Sequence, residues 1–167
     1  MVVNIKKLII IDDLLEIGSL KSFLEKVEFD KFENKWFYMD KPETYTKHII
    51  NIGADHFPIA GIVGYETWTH KNTRPESDKF HEWHYDKDEY RYSINQILRF
   101  PIFSAVFYIK IDCSGGNLIM ENGVEIKPKT NRLVLFEPGL KHRVEEFEGI
   151  RYSININPWR RKLEEYK

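Results

Sequence analysis

The chain has a single cysteine among its 167 residues, Cys113. That rules out an intramolecular disulfide and any zinc site built from several thiolates. Long apolar runs are missing too. Near the start, Leu8 to Ile11 is ended by Asp12 and Asp13, whereas a secretory core is longer and uncharged. No stretch approaches the ~18 apolar residues of a membrane-spanning helix. Neither charge is in excess: 25 Lys and Arg stand against 26 Asp and Glu, a net charge of -1. Proteins that bind DNA or RNA carry a clear basic surplus, so no nucleic-acid partner and no membrane contact are expected. Internal repeats and low-complexity segments are absent. The expectation is a soluble domain in the cytoplasm.

What is present is enough for one core. Hydrophobic residues make up 42% of the chain, and aromatics, at 14%, point to an aromatic-rich core or pocket. The length fits one domain over residues 1–167, with N-terminal helical support over about 1–58 and a β core over about 59–159. In the first part, residues 4–11 read as a buried strand. Asp12 or Asp13 is placed to cap a helix reaching about Val27, with Leu14, Leu15, Ile17, Leu20, Phe23 and Leu24 as its apolar stripe. Residues 36–38 read as a short strand, and Pro42 as the opening of a helix to about Ile50. From Ile59 onward the pattern changes. "IAGIVGYETWTH", "HEWHYD", "FSAVFYIKI", "GNLIME", "GVEIKP", "NRLVLFE", "HRVEEFE" and "GIRYSININ" are short β-rich runs. Turn signals separate them: Pro101, "CSGGN", "ENG", "PKTN", "EPG" and "EG". The fold class is therefore mainly β with an N-terminal α part, closed as a sandwich or barrel.

The stretch "HEWHYDKDE", residues 81–89, raises the chemical question. On a strand, side chains alternate, so Glu82, His84 and Asp86 share one face while His81, Trp83 and Tyr85 share the other. His84 and Asp86 then aim into one space. Alone, His-x-Asp is a weak signal and fits an ordinary surface strand. His142 follows the turn "EPGLK" and offers a second imidazole. Two imidazoles and one carboxylate cap one face of an octahedral ion and leave the rest open, as in a non-haem Fe(II) site. A structural zinc is normally closed by four protein ligands. "DKDE" lacks the alternating oxygens and the glycine of a calcium loop.

The order His84-x-Asp86, "FSAVFYIKI", "SGG", "NRLVLFEPGLKH", "GIRYSI" resembles the Fe(II)/2-oxoglutarate-dependent dioxygenases over about residues 65–159. It is most similar to the prolyl-hydroxylase-like branch and to related bacterial and phage-type sequences. The resemblance implies a double-stranded β-helix, a jelly-roll or cupin-like barrel buttressed by helices. It implies His84, Asp86 and His142 as iron ligands, and Arg151 as the residue gripping the far carboxylate of 2-oxoglutarate, since a guanidinium pairs with a carboxylate bidentately. Ser153 and Tyr108 are implied as hydroxyl donors to that same carboxylate. The alternative for Arg151 is a strand-end arginine paired with Glu145, Glu146 or Glu148. Ser153 and Tyr108 have the alternative of plain packing or capping.

The reaction implied is hydroxylation of an unactivated C–H bond with release of succinate and carbon dioxide. It needs Fe(II), 2-oxoglutarate and O2, with ascorbate as an optional extra. The carboxylate at Asp86 is the feature that family members which halogenate lack. Peptidyl proline is the leading substrate, with a small molecule as the other class; the oligomeric state is not encoded. Glu66, Trp68 and His70 on one strand face, with Trp83 and the loop 71–79, are candidates for a substrate mouth within 66–82. The same residues also fit an aromatic core patch. His48 and His56 join no constellation. A non-catalytic cupin-like module that binds a metal or ligand, or a plain β interaction domain, shares the strands and histidines, but neither has a use for Arg151-x-Ser153.

Overall fold

The computed structural model describes residues 7–26, 35–40, 44–72 and 81–166. The elements are β1 (Leu8–Ile11), α1 (Ile17–Lys26), β2 (Lys35–Tyr38), α2 (Thr44–Ala54), β3 (Gly64–Asn72), β4 (His81–His84), α3 (Glu89–Asn95), β5 (Ser104–Gly115), β6 (Leu118–Met120), β7 (Glu125–Ile126), β8 (Arg132–Phe136), β9 (His142–Val144) and β10 (Phe147–Trp159). A short 3-10 helix follows at Glu164–Tyr166. The strands form two antiparallel sheets. One has six strands in the order β1-β8-β5-β10-β3-β2, the other four in the order β4-β9-β6-β7.

Alternation along the large sheet sorts its side chains into two cores. Ala105, Phe107 and Ile109 of β5, Leu133 and Leu135 of β8, and Ile154 and Ile156 of β10 pack with Ile49 and Ile50 of α2 and with the apolar side of α1. The intervening residues, Val106, Tyr108, Val134 and Phe136, turn to the other face and meet Leu118, Met120, Ile126 and Val144 of the small sheet. Helices thus buttress one face of the large sheet, and the space between the sheets is the barrel interior. This is the jelly-roll arrangement of the predicted fold class.

Several local expectations are corrected. Residues 4–6 of the expected first strand lie outside the described residues, as does Val27. α1 begins at Ile17 because Asp13 sits at φ 55, a left-handed turn, with Leu14 and Leu15 tied to Asn131 by backbone and side-chain hydrogen bonds. Gly18 does not prevent the helix. α2 runs four residues past Ile50. β3 starts only at Gly64, since Ile62 N–H turns back to Ile59 O. The "DKDE" stretch enters a helix: Asp88 accepts from Arg91 N–H at 2.9 Å and caps α3. "EG" is no turn. Gly149 lies inside β10 at φ 109, where a Cβ would run into Asp112 O of the neighbouring strand. Arg151 therefore stands fifth in a 13-residue strand instead of opening a new one.

Candidate metal and anion sites

β4 and β9 pair so that His84 lies directly opposite His142. Their ring centroids are 4.4 Å apart. Asp86 is two residues beyond the end of β4, so it reaches the same point from an irregular segment, not from the strand alternation that predicted it. One ligand atom from each of His84, Asp86 and His142 lies within 4.8 Å of the others. His142 Nε2 and Asp86 Oδ1 are 3.9 Å apart, too far for a hydrogen bond and open enough for an ion between them.

The second nitrogens of both imidazoles are fixed in the same way. His84 Nδ1 lies 2.7 Å from Glu82 O, and His142 Nδ1 2.9 Å from Leu140 O. A carbonyl only accepts, so each Nδ1 carries the proton and each Nε2 keeps its lone pair for a metal. Burial holds His142 below its ordinary pKa and so favours the neutral imidazole, while the Asp86 carboxylate pulls the other way. Phe136 packs edge-on against His142 at 4.9 Å and fixes the ring from the apolar side. The donor set fits a divalent ion such as Fe(II), with only three protein ligands and room for others.

The second cluster sits on β10 and β5. Ser153 is opposite Tyr108 in the sheet, and Arg151 precedes Ser153 on the same face. Arg151 is 2% exposed. Its Nε donates to Gly116 O at 3.3 Å, one terminal nitrogen to Ser153 Oγ at 3.4 Å, and the other to Tyr108 OH at 3.4 Å. Among the described residues no carboxylate pairs with it, so Glu145, Glu146 and Glu148 are not its partners. Both hydroxyl oxygens accept from the guanidinium, so both hydroxyl hydrogens point elsewhere. Burial raises the Tyr108 pKa, against the pull of Arg151, so the phenol stays protonated and able to donate. A buried cation flanked by two neutral donors is suited to an anion. Gly116 completes the cradle. It stands at φ +77, and an added Cβ would lie 3.2 Å from Arg151 Cδ. Sequence reading saw "SGG" only as part of a pattern and missed this steric role.

The sheet register relates the two clusters. Phe136 lies opposite Ser104, Ala105 opposite Ile156, and Asn157 opposite Glu66. Phe136, Ser104, Asn157 and Glu66 therefore form one row across the inner face, and Phe136 carries His142. Two rows along, Arg132, Tyr108, Ser153 and His70 line up, with Arg151 beyond. Glu66, Trp68 and His70 do share this inner face, as expected. Trp68 Nε1 donates to His70 Nε2 at 2.9 Å. Asn155 and Asn157 complete the face and were not singled out from sequence, although the polar residue at every second place in "RYSININ" was a visible signal. Trp83 is 42% exposed, its ring against Arg143 on the outer side of the small sheet, so it lines no mouth. Residues 73–79 of the predicted mouth loop, and the side chains of Lys71, Asn72 and His81, lie outside the described residues.

A family model described as the 2OG-Fe(II) oxygenase superfamily, where 2OG is 2-oxoglutarate, matches residues 69–159. No curated protein sequence matches the chain. Among solved structures, a Pseudomonas putida prolyl-4-hydroxylase is 19% identical with a TM-score of 0.68, covering 94% of this chain and 87% of that one. A viral collagen prolyl hydroxylase from Paramecium bursaria Chlorella virus-1, in complex with 2OG, is 13% identical with a TM-score of 0.62, covering 95% and 98%. A Trichoplax adhaerens prolyl hydroxylase, in complex with a hypoxia-inducible-factor peptide fragment, is 16% identical with a TM-score of 0.58, covering 93% and 84%. These likenesses establish the fold. The family match spans more than half of the chain, which belongs to the 2OG-Fe(II) oxygenase superfamily. It is a dioxygenase that uses Fe(II), 2-oxoglutarate and O2.

Proposed function

We propose that this member of the 2OG-Fe(II) oxygenase superfamily hydroxylates an unactivated C–H bond of peptidyl proline, releasing succinate and carbon dioxide. His84, Asp86 and His142 hold the iron, and Arg151, Ser153 and Tyr108 hold the far carboxylate of 2-oxoglutarate. The observation that carries this reading is the buried Arg151 guanidinium, hydrogen-bonded only to neutral oxygens on the face that opens toward the histidines. A barrel that merely stores a metal has no use for that cradle. The prolyl substrate rests on the prolyl hydroxylases that share the fold. The same reading takes residues 1–167 as one catalytic domain working in the cytoplasm; no helix of the described residues is long and apolar enough to cross a membrane.

Bound iron and the keto acid supply the oxidative chemistry, in which one dioxygen atom ends in succinate and the other in the hydroxylated product. The chain supplies placement. The carbonyls of Glu82 and Leu140 hold the two imidazoles in the metal-binding tautomer. Arg151 neutralises the anionic tail of the co-substrate, while the Tyr108 and Ser153 hydroxyls donate to it and fix its orientation. Val106, Val134, Phe136 and Met120 keep the intervening space dry. No general base and no nucleophile is required. The test is succinate release, measured with proline-containing peptides and with free small molecules. Peptide-stimulated succinate release in the wild type, abolished in His84→Ala, supports the reading. Normal succinate production by His84→Ala refutes it.

A further inference from the structure

The inner face of β10 runs Arg151, Ser153, Asn155, Asn157 at alternate positions. The first two belong to the anion cradle. The last two are buried side-chain amides to which neither cluster gives a role. Asn157 is 2% exposed, and among the described residues its Oδ1 has no hydrogen-bond partner. Buried polar atoms are ordinarily paired, so an orphaned amide inside a ligand-binding interior marks a place where a ligand supplies the partner.

The location is specific. Asn157 stands in the same sheet row as Phe136, the residue that packs on the iron-side imidazole of His142, and directly opposite Glu66. It is four residues past Ser153 and two past Asn155, toward the histidine end and away from the carboxylate cradle. A molecule filling the cradle does not use this row. A molecule presenting a C–H bond to the iron does. Glu66, also buried, accepts from Tyr166 OH at 2.8 Å, so the 3-10 helix is tied down over this end of the interior. Trp36, opposite Glu66 on β2, stacks near Tyr166 at 6.1 Å and closes the row with apolar surface.

We propose that Asn157 is the specificity-determining residue for the primary substrate and that it recognises an amide group, pairing N–H to O=C in both directions. Asn155, the next residue on that face, carries a second amide one row nearer the co-substrate. This rests on the dioxygenase reading of the site, and it narrows the substrate to a chain with a secondary amide next to the oxidised residue: a peptide, in which the residue after proline supplies the N–H that the prolyl nitrogen lacks, not a free amino acid. The orphaned carboxamide oxygen calls for a donor such as an amide N–H, which a carboxylate cannot supply, and the carboxamide N–H can donate in return to the carbonyl of the same amide.

The experiment uses the chain loaded with Zn(II), a diamagnetic stand-in, and 2-oxoglutarate, and labelled with 15N at asparagine side chains. The probes are acetyl-Ala-Pro-Ala-amide and free L-proline. The expected result is a shift of the Asn157 side-chain N–H signals with the blocked peptide and none with proline. Asn157→Leu, which keeps the branched shape and the number of heavy atoms and removes the amide, weakens peptide binding by about tenfold or more. Its affinity for 2-oxoglutarate stays as in the wild type. Unmoved Asn157 signals in the wild-type chain at saturating peptide overturn the proposal, as does equal peptide affinity in Asn157→Leu. Failure of the dioxygenase reading itself appears elsewhere, as absence of 2-oxoglutarate binding by the metal-loaded wild-type chain.

Discussion

Replacing Arg151 by methionine separates function from folding. The guanidinium is buried, it donates three long hydrogen bonds of 3.3 to 3.4 Å to neutral oxygens, and among the described residues it faces no carboxylate. Without co-substrate, that cation has left water for those three long bonds and for the rings of Tyr108 and Phe147, 5.0 and 5.9 Å from the guanidinium carbon, and for no opposite charge. Filling the space with an apolar chain of similar length is then neutral or stabilising, as for other buried charges replaced by well-packed apolar groups, by ~1–4 kcal/mol. Against this stand Gly116 O, Ser153 Oγ and Tyr108 OH, each losing one weak bond at about 1 kcal/mol or less. The free protein should therefore unfold in urea within about 1 kcal/mol of wild type, or later. Binding of 2-oxoglutarate goes the other way. A hydrogen bond to a charged group is worth ~1.5–3 kcal/mol, so the apparent affinity falls roughly ten- to 150-fold. The assay pairs urea unfolding with anaerobic titration of the Fe(II)-loaded protein by 2-oxoglutarate. Unchanged affinity in Arg151→Met refutes the reasoning. A loss of more than about 3 kcal/mol of stability also refutes it, because Arg151 would then be a structural residue.

Gly116→Ala places a Cβ against the Arg151 stem at a positive φ, so it should cost ~1–2 kcal/mol and raise the 2-oxoglutarate requirement with iron affinity unchanged; a thermal melt and a metal titration check both halves. Asp86→Ala should remove metal-dependent stabilisation against heat while the metal-free melting temperature moves little, since Asp86 lies in an irregular segment past β4. Asp12 is bonded to Arg132 at 2.6 Å, and its pKa is lowered from 3.8 to about 2, first by that bond and further by Lys129. A depressed folded-state pKa contributes stability that is fully present above about pH 4 and is lost as pH falls toward 2. The pair is partly solvated, so Asp12→Asn should cost no more than about 1 kcal/mol at pH 7 and nothing further near pH 2, read from urea midpoints at the two pH values.

The strand content and the main site residues were legible because both rest on local pattern. "FSAVFYIKI" and "NRLVLFE" alternate between two buried faces, and apolar β-branched residues announce them. The meeting of His84, Asp86 and His142 was legible through the order of motifs. What escaped was set by distant contacts. β5 and β10 run for 12 and 13 residues, far longer than the short strands expected, because each is paired along most of its length and Gly149, at positive φ, carries β10 through "EG" in register with Cys113. α3 was hidden in a charged stretch where the cap, Asp88, looks like one acid among several. The cradle role of Gly116 depends on a side chain 35 residues away, which no local spacing reveals. Asn155 and Asn157 showed the right alternation, but only the register with β3 and β5 places them inside the barrel.

The central claim is met most directly by anaerobic crystals of the chain soaked with Mn(II) and 2-oxoglutarate, measured at the manganese absorption edge. The account predicts one anomalous peak about 2.2 Å from His84 Nε2, His142 Nε2 and an Asp86 oxygen. It also predicts the far carboxylate of the keto acid on Arg151. A peak at any other set of residues, or a keto acid whose far carboxylate lies away from Arg151, would contradict it.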